Sequence, residues 1–562
     1  MKNKKIIYLL LYIVSLIFSD NLSASSTLSS NISPLDQEIL NQKQKNILEE
    51  AQKQEDMGAE IVIPQSIAPT ATSDDELSCQ IINHIDIENA EKIPKSKQES
   101  LTLPYIDKCL TINNFNSLVK EISNYYLKQG YITSVAFIKP QSLSQGHLTI
   151  SVVEGKINSI TIDDEYLLAL KLAFPNMTGK VLNLRDIEQG FDQLNRLSSY
   201  QVNIDIHPAK KAGYFDVVLK RLSSKKPIHA SIGLDNSGQK SYGKNQLSTT
   251  VEVDNPLRIA DLWTISVNKN SDFRNSYKTW YVTSGLSIPY GYWLFSYQYS
   301  WHKSFQDILF NDKKLRYEGK GQSHNLKAVR TLYRDGKQKL ALNMNFTRRN
   351  TENGMGDVKF SINSPTLSTL NVGLNYSSTL LGGYFTFNPT ITKGLNILGA
   401  TKDNHIRDAP KSQFYKISMS ANYFKPLTRN IYYLTSVYGQ YSPKNLYASE
   451  KLSLGGQYSI RGFKEQNIIG NRGGYWRNEL NWKVATLPVL GELSLKGSLD
   501  TGWIKNEENR FLGGGNITGT SLGILLNNDI SNHSLIVGKP LNYPKDLKPD
   551  DWVVYWSTSL NF

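Results

Sequence analysis

The residue best placed to do chemistry in this chain is a single cation between glycines. In "LGGQYSIRGFKEQ", Leu454 to Gln466, Arg461 follows Ile460 and precedes Gly462 and Phe463, with Gly455 and Gly456 just upstream. A guanidinium makes planar, bidentate hydrogen bonds to a carboxylate. Glycines let the backbone bend sharply and come close to another surface. A carboxylate stands in "ELSLKGSLDTGW", where alternation puts Ser494, Lys496, Ser498 and Asp500 on one face and Leu493, Leu495, Gly497 and Leu499 on the other. We therefore expect Arg461 at the tip of a long loop that folds back and pairs with Asp500. This is structural electrostatics rather than catalysis. The sequence has no nucleophile motif, phosphate loop or zinc spacing, and its 8 His are scattered. The expectation is a protein without enzymatic activity, metal or cofactor.

The elements around these residues read as strands. "DWVVYWSTSLNF" puts Trp552, Val554, Trp556, Thr558, Leu560 and Phe562 on one face, and Val553, Tyr555, Ser557, Ser559 and Asn561 on the other. "YWRNELNW" separates Trp476, Leu480 and Trp482 from Tyr475, Arg477, Glu479 and Asn481. One face suits lipid. The other suits a wet lumen, which can hold Arg477 and Glu479; on the lipid side each would cost several kcal/mol. A soluble sandwich seldom needs such long two-sided alternation. Residues 225–562 thus divide into about 16 antiparallel strands of a transmembrane barrel, at roughly 21 residues per strand and connection. The mean hydropathy of −0.38 is compatible with this, because lumen-facing residues dilute it.

Upstream lie smaller pieces. Residues 1–25 read as a signal peptide, with Lys2, Lys4 and Lys5, an apolar run from Ile6 to Phe18, and small residues at Ser23, Ala24 and Ser25. The run is about 13 residues, short of a bilayer-spanning helix. Residues 33–58 read as a polar helix with Ser33 at the N-cap, Pro34 at N1, Asp36 at N3 and a thin apolar stripe of Leu35, Ile39, Ile47, Leu48 and Ala51. Residues 59–77, with Pro64 and Pro69, read as a linker. Residues 78–155 and 156–224 read as two α/β modules in the order strand, helices, strand, strand. Strands are expected at Gln80–Ile87, Ile132–Ile138 and His147–Val153 in the first. Cys79 and Cys109 are the 2 cysteines, and an exported chain favours their disulfide over two buried thiols. The net charge of +13 is spread along the chain, so we expect solvated faces and anionic lipid rather than nucleic acid.

Taken in order, "IRGF", "GNRGGYWRNEL", "GSLDTG", "GLDNSG" and "VDNPLRIADLW" resemble the signature of the TpsB transporters of two-partner secretion, within the outer-membrane assembly superfamily. The stretch from Cys109 to Ile157 is similar to a first POTRA domain of that family. The resemblance implies an outer-membrane barrel with two periplasmic POTRA modules and an N-terminal plug helix. It implies Arg461-Gly462-Phe463 at the tip of the loop after the sixth surface hairpin, locked onto Asp500. It implies a large secreted exoprotein of haemolysin or adhesin type as partner, recognised through an N-terminal secretion domain and exported unfolded without ATP. Trp556, Leu560 and Phe562 are then a C-terminal signal for the barrel assembly machinery. Such a chain works as a monomer, with a dimer as the other option. The competing reading is an insertase of the same superfamily, against which stand two modules rather than a long array and the separate N-terminal helix. A passive porin leaves the modules unexplained.

Overall fold

A computed structural model describes residues 33–56, 79–163, 167–222, 226–240, 243–272, 276–310, 313–406, 408–505 and 514–562. The expected signal peptide and linker lie outside these residues.

Among them, sixteen antiparallel strands close into a barrel, from Ile228–Asp235 to Val553–Asn561, as the alternation predicts. Period-two patterning decides the two faces. In the last strand Val553 and Tyr555 are buried, whereas Val554 and Leu560 are exposed on the outside. In Gly473–Leu487 the split is the same: Tyr475, Arg477, Glu479 and Asn481 are buried, and Trp476, Leu480 and Trp482 are exposed. The outside carries tryptophans near both rims, Trp263 and Trp482 toward the end bearing the α/β modules and Trp280, Trp301, Trp476 and Trp503 toward the far end. Closure pairs the last strand with the first. That seam has the register Ser557↔Asp235 to Asn561↔Ser231, and Phe562 N–H donates to the Ala230 carbonyl at 2.8 Å.

A helix, Pro34–Asp56, lies inside the barrel against the fifth, sixth, ninth and tenth strands. Its start is capped as its sequence suggests: Asp36 N–H donates to Ser33 Oγ at 3.0 Å, and Ser33 Oγ–H donates to Asp36 Oδ2 at 2.7 Å. Among its described side chains Leu35, Ile39 and Leu40 are the buried apolar ones, while Ile47 and Leu48 of the expected stripe are half-buried and Ala51 lies outside the described side chains.

The two modules each fold a small sheet onto helices. In the first, Gln80–Ile87 is not one strand. Gln80–Ile82 pairs with Lys108–Leu110, and His84–Glu88 pairs in parallel with His147–Val153. The break falls at Asn83, because the backbone N–H groups of Asn83 and His84 both donate to the Gly146 carbonyl, at 2.8 and 3.2 Å. The strand expected at Ile132–Ile138 shortens to Val135–Phe137, since Tyr131–Ser134 forms a turn. The helix Ile112–Lys128 buries Phe115, Leu118, Ile122 and Tyr126. Tyr126 Oη donates to Glu154 at 2.6 Å, and burial holds that phenol above its usual range. Cys79 and Cys109 are joined, with Cα atoms 5.2 Å apart.

The second module is bolted to the barrel's near rim. Gln193 Nε2 donates to the carbonyls of Gly291 and Trp293 at 3.1 and 3.2 Å. Tyr292 Oη donates to Asp186 at 2.6 Å, and Arg334 meets Asp192 at 2.9 Å. Arg196 donates to Ser287 Oγ and the Ala260 carbonyl, both at 2.6 Å; burial lowers its guanidinium to about 10, still cationic at neutral pH. These contacts hold the helix Leu184–Asn195 under the barrel turns.

Opening the disulfide tests how the first module is held. Its 30-residue separation makes a loop worth about 3–4 kcal/mol on the chain-entropy account. We expect Cys79→Ser to lower the unfolding temperature of the periplasmic modules and to speed protease cleavage within residues 79–155. An unchanged transition would remove the disulfide from the account of stability.

Candidate functional site

The connection between the eleventh strand, Ile431–Tyr441, and the twelfth, Gly473–Leu487, does not stay outside. It turns back into the lumen. Counting from the first strand, it is itself the sixth connection at the far rim, not a loop following a sixth hairpin. A short hairpin inside it, Leu452–Leu454 paired with Ile468–Gly470, carries the tip. Ile460 and Phe463 are fully buried, in a cluster with Leu452, Leu454, Ile468, Tyr475, Ile504 and Ile517. This apolar packing is why a loop can leave water at all.

Glycine makes the tip's approach possible. Gly462 sits at φ +104°, where a side chain is strained, and a Cβ there would lie 2.6 Å from the Lys539 carbonyl oxygen. Opposite it, Gly519 on the fourteenth strand leaves room for the Arg461 carbonyl. Backbone therefore rests on backbone. Tyr555, on the last strand, donates its hydroxyl to the Phe463 carbonyl at 2.6 Å.

The geometry places Arg461, 1% exposed, between two carboxylates. Nε donates to Asp500 Oδ2 and Nη2 to Asp500 Oδ1, both at 2.6 Å, and the backbone N–H adds 3.1 Å to Oδ2. Nη1 lies 3.0 Å from Glu479 Oε1. Glu479 is shared further, with Arg477 at 2.9 Å and Lys496 at 3.0 Å. Arg477 Nη1 reaches the Gln457 carbonyl at 3.0 Å. Three cations thus face two carboxylates, all contributed by the loop and by the twelfth and thirteenth strands. The alternation puts Glu479 inward, but its service to Arg461 is a second contact that face assignment alone does not supply.

A second charged centre went unread in the sequence. Glu450, also on the inward loop and 5% exposed, takes Lys43 of the lumen helix at 2.9 Å, Arg349 of the seventh strand at 2.9 Å and Lys416 of the tenth at 2.7 Å. Lys43 also donates to the Ser449 carbonyl at 2.6 Å, Gln44 donates to the Ser453 carbonyl, and Asn467 donates to Gln37 Oε1 at 2.8 Å. The helix is therefore held by the same loop that carries Arg461. The only local signal was a glutamate close upstream of the glycine pair.

The remaining predicted residues are dispersed. Trp556, Leu560 and Phe562 stand on the outward face of the last strand, far in role from the Arg461 cluster. Cys79 and Cys109 lie in the first module. Among the described residues no group of His, Cys, Asp and Glu could hold a metal ion.

Comparison with known proteins follows the same parts. The model of the family described as "Haemolysin secretion/activation protein ShlB/FhaC/HecB" matches residues 213–526. A POTRA domain of ShlB type matches residues 81–155, and a further POTRA domain matches residues 156–208. The outer membrane transporter CdiB of Escherichia coli is 38% identical over 542 residues, covering 96% of this chain and 92% of its own. CdiB of Dickeya dadantii (strain 3937) is 36% identical over 541 residues, 96% of each chain. The solved structure of CdiB from Escherichia coli superposes with a TM-score of 0.91 at 38% identity, covering 95% of this chain and 100% of that one.

Removing one partner of a buried ion cluster costs about 3–5 kcal/mol, because the others are left uncompensated. Arg461→Ala should therefore lower the thermal unfolding of the detergent-solubilised barrel strongly. Arg461→Lys should restore little, lacking the bidentate fork. The double variant Arg461→Ala/Asp500→Ala should lose less than the sum of the single losses; additive losses would mean the two groups do not act together. Glu450→Gln should loosen the helix and raise ion conductance in planar bilayers. Unchanged conductance would mean that other contacts hold it.

Proposed function

Because this chain belongs to the haemolysin secretion/activation protein family of outer-membrane transporters, we propose that it secretes one large, separately made exoprotein of haemolysin or adhesin type. It stands in the outer membrane with its POTRA modules in the periplasm, and members of its family are transporters rather than enzymes. The modules capture the exoprotein's N-terminal secretion domain. An exposed sheet edge beside a helix can take an extended segment as an added strand. The chain then crosses the lumen unfolded. No ATP is needed, since folding outside biases the direction.

The observation that carries this reading is what fills the lumen. A sixteen-strand barrel is too wide for side chains alone to fill. Here the filling is a helix, itself mostly Gln, Lys and Glu, and an inward loop, and the helix is fastened to that loop by polar bonds. Polar anchors exchange readily with water, so the helix can withdraw while the apolar loop tip stays packed. In this reading Arg461 and Asp500 lock the loop against the wall. Trp556, Leu560 and Phe562 serve the barrel assembly machinery, and the outward face meets lipid.

One feature favours the insertase reading. The seam between the first and last strands is joined by five register pairs, Ser557↔Asp235 to Asn561↔Ser231, so a strand of another protein could enter there. A secretion assay separates the two. With its exoprotein co-expressed, the intact chain should deliver it to the medium, and Arg461→Ala should lower delivery with the barrel still assembled. Exoprotein retained in the periplasm with the intact chain, together with poor assembly of other barrels when the chain is absent, would favour insertion instead.

A further inference from the structure

The lumen wall is chemically lopsided. From the fourth strand, Tyr277–Tyr290, to the tenth, Tyr415–Pro426, its inward positions are dominated by amides and hydroxyls, among them Asn325, Asn343, Asn345, Asn371, Asn388 and Asn422. Among the described residues these inward strand positions hold no Asp or Glu. The acidic Glu318 and Glu352 of the same strands stand at outward positions. The inward cations include Arg349 and Lys416, both engaged by Glu450, Lys339, engaged by Asp192, and Lys327 on the sixth strand. The opposite wall, the twelfth to sixteenth strands, is covered by the inward loop and its charged cluster.

The amides on this wall are only partly used in holding the fold: Asn345 Nδ2 donates to Thr347 Oγ1 at 3.5 Å and Asn388 Nδ2 to Ser420 Oγ at 3.3 Å, but their acceptors are spare. The side-chain oxygens of Asn325, Asn343, Asn345 and Asn388 accept no hydrogen bond from the protein. Asn422 likewise donates across to Thr386 Oγ1 at 3.1 Å. The lumen helix lies on this same side, against the fifth, sixth, ninth and tenth strands, while its anchors at Gln37, Lys43 and Gln44 run to the loop. Withdrawal of the helix would therefore open this side of the lumen without breaking the Arg461 cluster.

We infer that this amide-lined wall is a hydrogen-bonding track for the backbone of the polypeptide in transit, resting on the passage through the lumen proposed above. A carboxamide both donates and accepts, as a peptide group does. A hydrogen bond between them nets about 0.5–1.5 kcal/mol against water, so each is easily traded for the next. A carboxylate in the track would instead grip every lysine and arginine that passes. The ligand is an extended main chain, recognised without regard to sequence.

The test uses the full chain and its exoprotein, arrested in transit by a folded domain fused to the exoprotein's C-terminus. A photo-crosslinking residue is placed at Asn343 or Asn388, or on the other wall at Ser494 or Ser521. Crosslinks are expected from the first pair and not the second. Separately, the joint substitution Asn325→Leu, Asn343→Leu, Asn345→Leu and Asn388→Leu should slow secretion several-fold, and the matching Gln set should restore it, at equal amounts of folded barrel judged by heat-modifiable mobility. If the Leu set does not fold, the same comparison with four Asp substitutions applies, which should slow a lysine-rich exoprotein more than a lysine-poor one. Equal crosslinking from both walls, or secretion indifferent to all these sets, overturns the track and leaves passage standing. Secretion with no crosslink from any lumen position overturns passage itself.

Discussion

A guanidinium that has left water must be matched where it lands. Arg461 is nearly inaccessible, and away from Asp500 and Glu479 its burial would cost several kcal/mol. The loop therefore has one low-energy seat. Much else follows from that seat. Gly462 and Gly519 must lack side chains so that the two backbones can touch. Tyr555 must face inward to meet the Phe463 carbonyl. The inward face of the twelfth and thirteenth strands must carry charge, which only a lumen-side position tolerates inside a membrane.

The same loop reaches the other side of the lumen through Glu450. It is thus moored twice, at Asp500 on the thirteenth strand and at Arg349 and Lys416 on the seventh and tenth. The two moorings differ in kind. Around Arg461 the ion pairs sit against an apolar cluster of fully buried side chains. Around Glu450 they sit among backbone carbonyls and a polar helix, with Leu40, Ile469 and Ala448 as a small apolar contact. On the proposed reading, the division separates a fixed part of the lumen filling from a part that leaves.

Strand patterning was the most legible feature of the sequence, because a period of two is unambiguous when one side is lipid. The last strand, with tryptophans on one side and Tyr555 on the other, is an example. The inward direction of Asp500 follows from the same rule. The first module was harder to read. In Gln80–Ile87 the isoleucines Ile81, Ile82, Ile85 and Ile87 carry a strand signal on both sides of Asn83, and nothing local shows that Asn83 will be turned by a carbonyl from Gly146, far along the chain. Glu450 was illegible for a related reason: its three partners come from positions 43, 349 and 416, and meet only after the barrel closes. Leu40 fell outside the expected apolar stripe because its neighbour, Ile469, belongs to the loop rather than to a conventional core.

The seam has a mechanical consequence. The fifth and sixth strands are joined along nearly their whole length, from Trp293↔Arg330 to Phe310↔Lys313, while the first and last share the short run from Ser557↔Asp235 to Asn561↔Ser231, flanked by bonds between Ala230 and Phe562 and from Asn236 to Val554 and Trp556. Load around a closed hoop is the same at every section, so it is the section with fewest rungs that carries the greatest force per rung. A bilayer that stretches or thins around this hoop concentrates strain on that one line, and the backbone amides along it will trade their protons with solvent sooner than those of any fully laddered strand.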